Sequence, residues 1–388
     1  MQLVAYGAQD IYLTGNPQIS FFKVVYRRHT NFSMESIEQT LSGTVGLGNK
    51  VTCTISRNGD LISRAYLEFS AADGGNLINN NACANFGSAL IDNVELEIGG
   101  QRIDKQYGHW MEVWSELTEV NPTGHNGLQA NGLTVGTTFQ NMSGMGGVLG
   151  ADTAVTDDIW VPLQFWFNRN PGLALPLIAL QYHEVKISVT LQTSTLTTFA
   201  LAGSMKLWVD YIYLDTDERR RFAQQSHEYL IEQVQHQQFT SSQNMELNFN
   251  HPVKELIWAG LPAGADANNG PSTPTIIDSG STYQLKLNGH DRFAARDYRY
   301  FTRTQVWQHH SGFGGVSVAG AAGGAADSIG VYSFALKPEE HQPSGTCNFS
   351  RIDNARLVAG ATESLNVYAV NYNVLRIMSG MGGLAYSN

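Results

Sequence analysis

Apolar and polar residues alternate with period two through much of this chain. In VKISVTL, Val185, Ile187, Val189 and Leu191 alternate with Lys186, Ser188 and Thr190, which puts four apolar side chains on one face of an extended strand. VELEIGGQRI sets Val94, Leu96 and Ile98 on one face and then supplies Gly99 and Gly100, the residue type that accepts the positive φ angles of a two-residue hairpin. MKLWVDYIYL and LNVYAVNYNVL are aromatic and β-branched runs without a helix cap at either start, and both are predicted as strands. One segment keeps a helical period instead. In YGHWMEVWSELTEV, Tyr107, Trp110, Met111, Trp114 and Leu117 make one apolar stripe, predicting a helix that covers one end of a sheet.

The most apolar part of the chain runs from Pro162 to Ile187. A membrane-spanning helix needs about 20 uninterrupted apolar residues, but Arg169 breaks this run, and Pro171 and Pro176 would each remove a helical hydrogen bond. The pattern predicts a strand, a proline-bounded turn and a second strand. The uncharged stretch from Ser188 to Met205 is also rejected as a span, because its many Ser, Thr and Gln side chains are costly in lipid.

Two short similarities recur in the same order in both halves. LEIGGQRI from Leu96 resembles LKLNGHDRF from Leu285, and VDYIYL from Val209 resembles VNYNVL from Val370. Together they predict a duplicated β domain. Between the halves, DTDERRRFAQQSHEYLIEQVQ offers Asp215 or Thr216 as a helix cap. Asp217 and Glu218 sit at the positive helix end, with Arg219, Arg220 and Arg221 behind them. A short linker helix ending near His227 is predicted, with its arginines on a solvated face.

Composition narrows the function classes. The 388 residues are 42% hydrophobic, enough for a substantial core, and the net charge of -10 argues against a dedicated nucleic-acid binder. Charged residues are only 15% of the chain, against about 25% in average soluble proteins. That deficit points to a surface partly covered by other subunits. The start of the chain, MQLVAYGAQDIYLTGNP, lacks the basic and apolar regions of a secretory signal, so synthesis in the cytosol is expected. Cys53, Cys83 and Cys347 show no metal-ligand spacing and are read as buried free thiols.

No motif for catalysis, a metal or a cofactor stands out. His290, His309, His310 and His341 form no metal-ligand pattern with a mechanism behind it. The glycine-rich SGMGGVLGAD and SGFGGVSVAGAAGGAAD lack the lysine and the context of a phosphate loop, and both are read as flexible loops. Glu95, Glu97 and Asp104 cannot be paired for acid–base work from sequence alone, and the alternating glutamates are read as a solvated strand face. Asn31, Asn141 and Asn348 each satisfy the N-x-[ST] pattern; without a secretory signal, ordinary glycosylation is not expected.

Four long segments carry a resemblance. GAQDIYLTGNPQISFFKVVYRRHTNFSMES from Gly7, FWFNRNPGLALPLIALQYHEVKI from Phe165, the linker sequence from Asp215 and the terminal VYAVNYNVLRIMSGMGGLAYSN closely resemble major capsid proteins of nucleocytoplasmic large DNA viruses. The resemblance spans the whole chain, which is compact for the family. It implies an all-β fold of two tandem eight-stranded antiparallel jelly rolls with a few short helices. The implied division is an arm at 1–20, a first jelly roll at 21–215, a linker helix at 216–227 and a second jelly roll at 228–388.

The same resemblance implies a structural role. Three copies would present six similar rolls as a pseudo-hexagonal capsomer that tiles an icosahedral shell. Implied partners are the chain itself, as homotrimer and neighbouring capsomers, then minor capsid and penton proteins, and an internal membrane beneath the shell. Direct nucleic-acid contact, cofactors and enzymatic activity are not expected. A jelly-roll lectin is the alternative, given 16 Tyr and 7 Trp, although most of these lie in strand or helix patterns. The arm, and the basic cluster Lys23, Arg27, Arg28 and His29, are candidates to face proteins or a membrane under the shell.

Overall fold

The computed structural model describes residues 7–70, 77, 83–120, 127–129, 132–148, 155, 158–193, 204–261, 271–275, 277, 281–312, 314 and 327–386. In the first half, β1 (Phe32–Gln39), β8 (Ser204–Leu214) and β3 (Leu61–Ser70) pair antiparallel in that order, with β6 (Ile159–Pro162) beyond β3. The facing sheet runs β2 (Lys50–Thr54), β7 (Val185–Leu191), β4 (Ile91–Ile98) and β5 (Gln101–Tyr107). Two-residue strands at Leu175–Pro176 and Leu41–Ser42 make each sheet five-stranded. Alternation supplies the core: Leu67, Phe69, Leu207, Val209 and Tyr211 from one sheet meet Val51, Cys53, Val94, Leu96, Ile187 and Val189 from the other.

The second half repeats this order. The strands are β9 (His227–Glu246), β10 (Pro252–Gly260), β11 (Thr282–Leu287), β12 (His290–Asp291), β13 (Ile329–Ser333), β14 (Ala355–Met378) and β15 (Met381–Leu384). The start of β9 pairs with the end of β14, which pairs with β10 and then β13. That matches β1–β8–β3–β6. The end of β9 pairs with the start of β14, which pairs with β11 and then β12, matching β2–β7–β4–β5. Both long strands run from one layer into the other. Ladder shifts after Phe239 and Ser242, with Ser241 at a φ of 47°, mark the bend in β9. With the two-residue strands Arg296–Asp297 and Cys347–Asn348, the second roll is therefore one continuous sheet folded on itself, nine-stranded among the described residues.

The two hairpins of the repeat correspond closely. Gly99 and Gly100 turn between β4 and β5 with φ of 58° and 82°, and Asn288 and Gly289 turn between β11 and β12 with 50° and 78°, as a two-residue turn requires. The second similarity is out of phase. Val209 faces the first core, whereas Val370 faces outward against a helix; because strands have period two, a one-residue slip exchanges the faces.

Helix α1 (Gly108–Thr118) follows β5 directly, and a Cβ on Gly108 would meet the Ile91 carbonyl oxygen at 2.1 Å, so only glycine permits the close approach. Helix α2 (Thr216–Gln224) is capped by Asp215, whose side chain accepts from the Glu218 N–H. It stops at Gln224 rather than near His227, where the imidazole hydrogen-bonds the Phe222 carbonyl and stacks on its ring as β9 begins. Among the described residues, no helix is long and apolar enough to cross a membrane.

The stretch from Pro162 to Ile187 corrects the simple strand–turn–strand expectation. Between β6 and β7 it forms a helical turn at Trp166–Arg169, 3-10 turns at Pro171–Leu173 and Leu177–Ala179, and the two-residue strand Leu175–Pro176. Prolines block a longer ladder, while Phe165, Trp166, Phe167, Leu175 and Leu177 still enter the first core. Cys53 and Cys83 are buried as expected, whereas Cys347 is half-buried.

Candidate functional site

The two rolls meet along α1. Its stripe of Trp110, Val113, Trp114 and Leu117 packs on the outer face of the second roll, against Ile257, Ala259, Ile329, Val331, Tyr368 and Val370, while Met111 points into the first core. The helix is buried from Gly108 to Leu117. It therefore lies between two domains instead of covering one sheet end.

Polar groups on α1 are matched across this seam. His109 donates from Nε2 to the Gly260 carbonyl at 3.2 Å and accepts at Nδ1 from the Tyr368 hydroxyl at 2.7 Å. Burial, and then the neighbouring His236, hold its pKa down at about 3, so the ring is neutral. Glu112 accepts the Gly146 and Gly147 N–H groups at 3.0 Å each and the Ser88 hydroxyl at 3.1 Å. Burial raises its carboxyl to about 7. The SGMGGVLGAD segment is thus no flexible loop where it is described: Ser143, Met145 and Val148 are buried, and its glycines wrap the carboxylate.

A charged cluster lies beside the helix. Arg169, from the helical turn of the first roll, reaches Glu232 on β9 of the second at 2.8 Å; Lys254 and His341 approach the same carboxylate at 2.9 and 3.4 Å. Burial alone would raise Glu232, but Arg169, His341 and Lys254 bring it down to about 2. His310 sits between Glu255 at 3.0 Å and Glu339 at 3.1 Å, and these carboxylates overcome its burial and raise it to about 9. Arg169 also lies over the Trp114 ring, 4.9 Å from its centroid. These groups pair with one another, so the cluster fixes two domains in one relation.

The other sequence candidates scatter. Asp104 is buried, with its carboxyl raised to about 6 by burial, and accepts the Val234 N–H at 3.2 Å across the seam. Glu95 binds Lys50 at 2.7 Å and Lys105 at 3.4 Å, so this strand face is ion-paired rather than freely solvated. His290 is exposed and His309 half-buried. Arg219 of the arginine triplet holds Asp60 at 3.0 Å, while Arg220 and Arg221 are exposed. Asn31 and Asn348 are exposed and Asn141 is half-buried. Most of the second glycine-rich segment lies outside the described residues. Among the described residues, no three His, Cys, Asp or Glu side chains gather as a metal site.

Among the described residues, two surfaces carry exposed or half-exposed aromatic side chains at the first roll. From Gly7 to Asn31 the chain is almost wholly exposed, with Phe21, Phe22 and Tyr26 in the open beside Lys23, Arg27, Arg28 and His29. The second surface is the outer face of β8–β3–β6. There Trp208 and Trp160 both donate to Glu68, at 2.6 and 3.3 Å, and Tyr66 hydrogen-bonds Ser36 at 2.9 Å. A cleft of about 890 Å³ opens over this face, with Tyr66, Trp160, Phe139, Met142, Trp114 and Arg169 in its walls. Period-two reading passed over this surface, although MKLWVDYIYL carries large side chains on both faces, a signal of two-sided burial.

Comparison with known proteins gives these surfaces a context. Residues 20–215 match the family described as major capsid protein N-terminus, and residues 218–383 match large eukaryotic DNA virus major capsid protein. The major capsid protein of Pyramimonas orientalis virus is 54% identical over 413 aligned residues, and that of Paramecium bursaria Chlorella virus 1 is 46% identical over 462; each match covers 100% of this chain and 99% of the relative. The solved structure of PBCV-1 VP54 superposes with a TM-score of 0.77 at 39% identity, over 95% of this chain and 100% of that one. The Faustovirus major capsid protein shares the fold at a TM-score of 0.66 and 14% identity, over 96% and 94% of the two chains. The lectin alternative finds no support among these relatives. With both halves matched in order and the double jelly roll in place, this chain belongs to the major capsid proteins of large eukaryotic DNA viruses, the proteins that form the capsid shell.

Proposed function

We propose that three copies of this chain assemble into a capsomer of six rolls with a pseudo-hexagonal outline, and that capsomers tile an icosahedral shell. The observation that carries this reading is the way α1 of one roll covers the outer sheet face of the next within a chain. Two similar rolls placed side by side by such a contact are the repeating unit of a ring. In this reading residues 1–20 are an arm, 21–215 the first roll, 216–227 the linker and 228–388 the second roll. The function is shape complementarity, with assembly driven by buried contact between subunits. No enzymatic step and no cofactor is assigned.

The exposed stretch around Phe21, Phe22 and Tyr26 supports contact with minor capsid and penton proteins on the inner side of the shell. The neighbouring Lys23, Arg27 and Arg28 suit the headgroups of an internal membrane as a further partner. The net charge of -10 speaks against direct contact with the genome. Synthesis in the host cytoplasm, followed by incorporation into virions, completes the proposal.

Light scattering on the purified full chain tests the trimer. Three chains of 42.5 kDa give about 127 kDa, and an obligate interface of roughly 2,000 Å² or more should keep them together at about micromolar concentration. A folded chain that stays at 42.5 kDa at every concentration would overturn the capsomer reading.

A further inference from the structure

The two rolls are covered differently on equivalent faces. In the second roll, the cross-strand row Tyr368, Ile257 and Val331 on β14, β10 and β13 lies under Trp110 and Trp114 of α1. In the first roll the same sheet position carries Trp208, Tyr66 and Pro162 on β8, β3 and β6. This row borders the open cleft, and Trp160 beside it remains 37% exposed. A sheet face that turns Trp160 and Tyr66 toward a cleft, with Trp208 beside them, has the composition of an interface core rather than of free surface.

Chain order identifies what belongs there. In each roll a two-residue hairpin leads into a helix: β4–β5 into α1, and β11–β12, through the short strand Arg296–Asp297, into a π-helical turn at Tyr300–Thr304 continued by α3 (Gln305–His309). The inner side of this second helix is buried through Phe301 and Val306. Its outer side presents Trp307 at 81% exposure, with Arg303 one turn earlier and exposed Leu336 close by, where the His309 ring meets the Leu336 carbonyl oxygen at 3.3 Å. The first helix places tryptophans on the next roll. The second holds a tryptophan out with no roll of its own chain left to cover.

We propose that Trp307 of one subunit inserts into the first-roll cleft of the neighbouring subunit, against Tyr66 and Trp160, repeating between chains the contact that Trp110 makes with Tyr368 within a chain, where the ring centroids are 5.0 Å apart. The inference rests on the trimer reading above and names the residues that join its subunits. One helix-on-sheet contact inside each chain and one between chains alternate around the ring and close it after three copies. Charge is balanced on both sides, since Arg303 is held by Asp327 at 2.7 Å and Arg64 and Arg169 line the cleft beside Glu119 and Asp210, so the pairing rests on the repeated helix-on-sheet order and on aromatic shape. A tryptophan entering a largely preformed aromatic pocket is the usual form of an energetic anchor.

The test places the photo-crosslinking amino acid p-benzoylphenylalanine at position 307 of the full chain, with mass spectrometry of the products. Cross-links to peptides holding Tyr66 or Trp160, in a species of three chain masses, are expected. Links confined to other surfaces within a trimer would overturn this contact and leave the trimer reading standing; a chain that remains monomeric and unlinked would overturn both. Independently, Trp307→Ala should keep the circular dichroism of the folded chain while raising the concentration for half-dissociation about tenfold or more. An unchanged dissociation curve would refute the role of Trp307.

Discussion

Arg169 Nη2 and Glu232 Oε2 lie 2.8 Å apart across the boundary between the two rolls, and the carboxylate of this pair is almost fully buried. Such a pair contributes little against an apolar replacement, but breaking it on one side leaves a charge without a partner in a dry site. Glu232→Gln strands both Arg169 and Lys254 and is expected to cost about 3–5 kcal/mol in urea denaturation. A loss below about 1 kcal/mol would mean that solvent reaches the cluster.

The same pair sets an acid limit. The Glu232 carboxyl is depressed from an ordinary 4.5 to about 2 by Arg169, His341 and Lys254, against the opposing effect of burial. Its contribution to stability is present above about 4.5 and is lost as pH falls toward 2. The stability difference between the native chain and Glu232→Gln should therefore narrow across that window and stay level from pH 5 to 7. A difference that is flat down to pH 2 would contradict the assignment.

His310 has the opposite sign. Glu255 and Glu339 raise it from 6.5 to about 9 despite burial, so its contribution is complete below about 6.5 and disappears as pH rises through 9. Compared with His310→Gln, the native chain should lose its advantage between these values. NMR titration of the imidazole would check the raised pKa directly.

Trp110 joins the rolls as α1 crosses the seam. Trp110→Ala removes a fully buried ring from contact with Trp114 and Tyr368 and should cost about 3–5 kcal/mol. Because the loss falls at the seam, calorimetry is expected to resolve two transitions where the native chain gives one. A single transition with unchanged midpoint would show that the rolls are held together elsewhere.

From Ser311 to Asp327 the chain holds six glycines and five alanines, which have little side-chain surface to bury. Gly312 and Gly314 donate backbone hydrogen bonds to the Leu117 and Glu116 carbonyls at the end of α1, so a shortened variant must keep them. Replacing 315–326 by a short Gly-Ser connection should leave the melting temperature and the oligomer mass unchanged. Loss of soluble protein would assign that segment a structural role.

Local pattern alone determined several strands and their turns. Period-two alternation in VKISVTL, and the Gly99–Gly100 and Asn288–Gly289 pairs, act over a few residues and need no partner to be recognised. The helix of Trp110 and Trp114 was legible for the same reason, and four long segments carried the family. The tertiary structure decided which of two faces looks inward. Val209 and Val370 occupy similar sequences, yet one enters a core and the other meets α1, because a strand has two sides and only packing chooses between them. Arg169 and Glu232 are separated by 63 residues, and no spacing rule joins them. Their pairing and the neutral His109 arise where one folded roll meets another, through distance and exclusion of water that a linear sequence does not contain.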